Sequence, residues 1–144
     1  MDDNLIRRVQ SVQNAAAQLL TGAGRRNHIS PVLRQLHWLP EHRRVDYKLA
    51  CIVFSSLSGH APPYLADDIH LVSEGPRQRL RYSTDRLCAL HNTFGDRSFA
   101  VAGPRVWNSL PVHFRDEDIT YNSFRRQLKR FLFNVASGAQ CDFC

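Results

Sequence analysis

The stretch "LPEHRRVDYKLACIVFSSLSG", residues 39–59, decides the fold class. Pro40 supplies the fixed φ that suits a helix start. Val45, Leu49, Ile52, Val53 and Leu57 then recur on one helical face until Gly59 stops the run. The first half is basic and the second almost wholly apolar, so the helix is expected to begin in solvent and end in a core. The flanks take the same form. Leu5, Val9, Val12, Ala16, Leu19 and Leu20 lie near helical spacing, with Arg7, Arg8, Gln13 and Gln18 mostly off that stripe, which predicts an amphipathic helix closed by Gly22 and Gly24. Between the two, Ser30 and Pro31 read as N-cap and first residue of a short helix through Leu36.

Downstream the pattern loosens. "APPYLADDIHL" allows about two turns of helix at most, with Tyr64, Leu65 and Ile69 on one side. Residues 73–86 carry Gly75, Pro76 and arginines at 77, 79, 81 and 86 with few apolar anchors, and read as a basic surface loop. A strand is expected at 87–91 and a second apolar stretch at Phe99 to Ala102. A short helix should follow Pro104, carrying Val106, Trp107 and Leu110. The last element is an amphipathic helix capped by Thr120 or Asn122. Phe124, Leu128, Phe131 and Leu132 form its apolar stripe, with Arg125, Arg126, Lys129 and Arg130 opposite. The whole reads as mainly α: one small helical domain over 1–133, a few short extended segments, and a flexible tail over 134–144.

Composition narrows the function classes. In 144 residues, 43% hydrophobic, 19 basic residues against 13 acidic ones give a net charge of +6, and 17 of the 19 are arginine. The planar guanidinium suits phosphate and base edges, so an anionic partner is expected, nucleic acid first. No apolar run reaches the length of a membrane span, and "MDDNLIRRVQ" carries acid where a signal peptide carries base. The chain is therefore expected inside the cell, in nucleus or cytoplasm, rather than secreted. Cys51, Cys88, Cys141 and Cys144 are too scattered for a disulfide framework and read as free thiols, with Cys51 a small core hydrophobe.

Taken in order, "VQNAAAQLLTG", "HISPVLRQLHWLP", "RVDYKLA", "SGHAPPYL", "LRYST", "FGDRSFAVAGPRVWNSLP" and "SFRRQLKRFLF" resemble the C-terminal region of non-LTR (LINE-type) retrotransposon reverse transcriptases. The resemblance covers residues 5–133, with "LHWLP" and "GPRVWNSLP" its most specific parts. It implies a thumb-like helix at residues 1–24 and a C-terminal extension, both downstream of the catalytic palm. The implied piece is a nucleic-acid machine without its engine.

The candidate chemistry agrees with that implication. Asp67 and Asp68 in "PPYLADDIH" imitate a polymerase metal box, but two-metal chemistry needs a further upstream carboxylate and a tight hairpin. Upstream stand only Asp2, Asp3, Glu41 and Asp46, the last expected to pair with Arg43 or Arg44. "CDFC" has zinc-ligand spacing but lacks a second ligand pair, unless Cys88, His91 or His113 folds back to it. No cysteine or serine stands with a histidine and a carboxylate at a known catalytic spacing, and "GAGRR" lacks the ending of a phosphate loop. No catalytic residue, metal or cofactor is therefore expected.

Basic clusters remain. Arg25 and Arg26, Arg43 and Arg44, Arg77, Arg79 and Arg81, and Arg125, Arg126, Lys129 and Arg130 could reach phosphates, and Tyr82 could stack on an unpaired base. These predict a non-catalytic chain that binds RNA or DNA without reading sequence. Two other readings stand beside it. One is an interaction module whose Leu5, Val9 and Val12 form a sticky patch for a reverse transcriptase palm or a second copy. The other is a decayed genomic copy with no selected activity.

Overall fold

The structure, a computed structural model, describes residues 3–74, 86–90 and 98–136. Six α-helices carry it: α1 (Asp3–Thr21), α2 (Ile29–Gln35), α3 (Glu41–Leu57), α4 (Pro63–Ala66), α5 (Phe99–Ser109) and α6 (Tyr121–Ala136). Short 3-10 turns lie at Val72–Glu74 and Val112–Phe114. The mainly helical fold is the one the sequence predicts. None of these helices is long and apolar enough to cross a membrane. The contacts cluster into two compact units. The first holds residues up to Tyr47 and from Gln127 onward, the second Lys48–Arg126, so α3 and α6 each give residues to both.

In the first unit α1 packs on α2, but not with its apolar stripe. Leu5, Val9, Val12, Leu19 and Leu20 are 52, 42, 70, 85 and 67% exposed, while Ala17 on the adjoining side is fully buried. Polar bonds explain the choice. The Gln13 amide donates to the Leu39 carbonyl at 2.9 Å, and the Gln10 side-chain oxygen accepts the Glu41 N–H at 2.8 Å. Gln10 also donates to Gln13 and Asn14 at 2.9 and 2.8 Å. A free N–H at the head of α3 needs an acceptor, and a glutamine of α1 supplies it. Gln13, which the spacing assigns to the outer side, thus faces inward.

Helix α2 begins at Ile29 with His28 as N-cap and no side-chain cap, so Ser30 and Pro31 lie inside its first turn. Pro31 is tolerated there because first-turn N–H groups have no helical partner. Its end is a Schellman motif: Trp38 N–H bonds to Leu33 O at 2.8 Å and His37 N–H to Arg34 O at 3.0 Å. The left-handed position is taken by His37, with φ of 55°. His37 is exposed, while Trp38 lines a void of about 20 Å³ with Leu33, Pro40 and Phe133. Helix α3 ends in the same motif, and here Gly59 (φ 71°) takes the position, as its sequence predicts. For α1 the left-handed glycine is Gly22.

The second unit is built around Phe54. Its ring stacks on Phe124 at 4.4 Å between centroids, with Tyr121 at 5.9 Å and Trp107 at 6.3 Å. Phe114 meets Phe124 edge-on at 6.1 Å. Cys51 and Cys88 are buried free thiols, Cys51 as the small core residue expected of it.

Helix α5 starts at Phe99, so the stretch Phe99 to Ala102 is its first part and Pro104 stands inside it. An interior proline costs a helix about 3 kcal/mol. Burial of Val101, Gly103, Pro104 and Trp107 along one side offsets that cost. Gly103 permits the close approach: a Cβ there would stand 3.0 Å from Val53 Cγ2 and 3.3 Å from Ile69 Cδ1.

Of the strand expected at 87–91, the described residues 87–90 show one antiparallel bridge, Leu71 to Cys88, and His91 lies outside them. Val72 N–H bonds to Leu87 O, and Ala89 N–H to His70 O, each at 2.8 Å. On the other edge of this segment the Asn108 side chain stands in for a strand. Its oxygen accepts Cys88 N–H and its amide donates to Cys88 O, both at 2.9 Å. Trp107 Nε1 donates to Arg86 O at 2.7 Å. "VWNS" is thus the clamp that holds 86–88, with the side chain replacing the ladder a second strand would provide. At the C-terminal end α6 continues to Ala136, so residues 134–136, expected in the tail, are helical.

Candidate nucleic-acid interface

Each basic cluster follows from local structure. Arg25 and Arg26 lie in the turn between α1 and α2, exposed, and neither makes an ion pair among the described residues. Arg43 and Arg44 stand in the first turn of α3, where helical spacing brings each to an acid three residues away. Arg43 meets Asp46 at 3.3 Å and Arg44 meets Glu41 at 2.7 Å. Such half-exposed pairs contribute only about 0.2–1 kcal/mol, so a phosphate can compete for both guanidiniums.

On α6, Phe124, Leu128 and Leu132 are buried at 0, 0 and 4% exposure. The stripe expected of it is present, with Phe131 half-buried at its margin. That burial turns Arg126 and Arg130 to solvent and leaves Lys129 half-exposed, none of them in an ion pair among the described residues. Arg125 is different: its guanidinium lies over the Tyr121 ring, 5.5 Å from the centroid. Arg77, Arg79, Arg81 and Tyr82 lie outside the described residues.

Two further arginines are turned inward. Arg86 reaches Leu57 O at 3.5 Å and stands 3.6 Å from a Glu117 oxygen. Arg115 is 8% exposed, and its Nε and Nη1 meet no hydrogen-bond partner among the described residues. Burial removes both from contact with a large anionic ligand.

One feature escaped the sequence reading. In the second unit a cleft of about 520 Å³ is lined by Phe54, Ser55, Ser58, His60, Ile119, Thr120 and Tyr121. Phe54 is buried, while Tyr121 is 41% exposed. An exposed tyrosine with hydroxyls lining the same cleft, and a guanidinium near its ring, offers an aromatic edge and hydrogen bonding together. The signal was "TYNSFRR", where a tyrosine four residues before an arginine at the start of a helix places ring and cation on one face.

Asp67 and Asp68 are exposed in the turn that ends the single turn of α4. Among the described residues no three His, Cys, Asp or Glu gather into a group that could hold a metal ion. Of the proposed partners of "CDFC", Cys88 is buried and His113 is exposed beside the Phe114 ring; His91, Cys141 and Cys144 lie outside the described residues. Comparison with protein-family models, with curated proteins and with solved structures finds no match to this chain.

Proposed function

We propose that this chain is a non-catalytic piece of a LINE-type reverse transcriptase that binds the backbone of RNA or DNA without sequence preference. The observation that carries the reading is the set of solvent-facing cations with no carboxylate partner among the described residues: Arg25, Arg26, Arg126 and Arg130, with Lys129 beside them. Cations without a carboxylate partner among the described residues remain available to phosphates, and binding then gains from release of condensed counterions. The resemblance supplies the parent enzyme and puts polymerase chemistry on another part of it. The cleft at Phe54 and Tyr121 adds a place for an unstacked base, which favours a single strand.

Salt dependence is the direct test. Affinity for a single-stranded oligonucleotide should fall with ionic strength with a log-log slope of about −4 to −5, and Arg126→Ala with Arg130→Ala should make that slope shallower by about 1 to 2. A response that stays flat as salt rises would overturn the reading.

A further inference from the structure

We propose that α1 is a homotypic docking helix, whose exposed apolar seam pairs with the same seam of a second copy of this chain. Leu5, Val9, Val12, Ala16 and Leu19 follow one another at intervals of four, three, four and three residues. That is the 3.5-residue repeat with which helices pair side by side, widened along one edge by Ile6 and Leu20. Four of these side chains, with Leu20 at their edge, are between 42 and 85% exposed. Together they leave roughly 500 Å² of continuous apolar surface, at the upper end of what soluble monomers present.

Two observations favour a second copy as the occupant. The residues flanking the seam are Ile6, Arg8, Gln13, Ala15 and Leu20, with one charge among them. Two copies therefore meet without a row of facing arginines despite the net charge of +6, and an acidic partner helix would find a single cation to read. Two seams buried against each other remove on the order of 1,000 Å² from water, the size at which specific association begins. The bonds from Gln10 and Gln13 to residues 39–41 already hold α1 in place, so pairing does not have to order it.

The pairing is independent of nucleic-acid binding, and salt separates the two. With the full chain freed of nucleic acid and held at high salt, sedimentation equilibrium should show a mass rising from 16.5 kDa towards twice that value between about 1 and 100 µM. Val12→Glu with Leu19→Glu should weaken the association at least a hundredfold. Helicity and melting temperature should hold, because both side chains are in solvent in the single chain. Ser11→Glu, on another side of α1, should leave the association unchanged. A mass that stays at one chain throughout, or a dimer that survives the paired glutamates, overturns the proposal.

Discussion

Asn108 shows how much a single side chain can carry. Its carboxamide makes both hydrogen bonds that a neighbouring strand would make to Cys88, in a segment that contributes a buried thiol and the carbonyl held by Trp107. Removing the amide takes both of these bonds from the Cys88 backbone, and a buried polar group that loses its partner costs about 1–3 kcal/mol. Asn108→Ala is expected to destabilise the second unit by about 2–4 kcal/mol, read as a lower urea midpoint. Asn108→Asp keeps the acceptor and loses the donor, so it should recover only part of that loss. The sequence offered Asn108 no distinction among its neighbours, because a strand-like role for a helix side chain has no spacing signature. Only the neighbouring apolar residues Val106, Trp107 and Leu110 carried a readable pattern.

At the scale of elements, the helices were legible where burial and periodicity agree. Helix α6 follows its apolar stripe, and Gly22 and Gly59 end helices as glycines do. Helix α3 instead buries Ala50, Cys51, Val53 and Phe54, so that of the stripe expected for it only Val53 is buried and Ile52 is 37% exposed. Two other elements departed from the pattern for physical reasons. Helix α5 tolerates Pro104 because its buried side offsets the lost bond. Helix α1 turns its glutamines inward because the head of α3 needs an acceptor, a requirement that hydrophobic spacing does not record. The end of α2 yields a measurable prediction. His37 occupies the left-handed position of a Schellman motif at φ of 55°, where a Cβ costs about 1–2 kcal/mol. His37→Gly should therefore stabilise the first unit by about 1 kcal/mol, seen as a raised melting temperature. An unchanged or lower value would mean that the histidine ring makes good its own strain.

Across the molecule, eight of the arginines sort into three groups that charge counting cannot separate. Arg86 and Arg115 are buried or half-buried, Arg43 and Arg44 are shared with acids, and Arg25, Arg26, Arg126 and Arg130 are exposed without such partners. Of the basic loop, where the sequence concentrated its expectation, residues 75–85 with Arg77, Arg79 and Arg81 lie outside the described residues, and the aromatic cleft emerged from residues far apart in the chain. The two contributions are separable by experiment. Tyr121→Ala should weaken single-strand binding about tenfold, as loss of one stacked base does, while leaving the salt slope unchanged. Duplex affinity should hardly respond. Loss of affinity for both forms with a shallower slope would instead assign Tyr121 to holding Arg125 against a phosphate.

The bridge between Leu71 and Cys88 also makes the intervening stretch a natural port for engineering. Val72 and Leu87 are joined by a backbone hydrogen bond of 2.8 Å, so a sequence grafted between them starts and finishes at adjacent points of the fold. Closure entropy grows only with the logarithm of length, about 0.6 kcal/mol for each doubling. A reporter peptide or a foreign recognition loop joined at Val72 and Leu87 would be held at both ends by an anchorage that Asn108 and Trp107 already fasten.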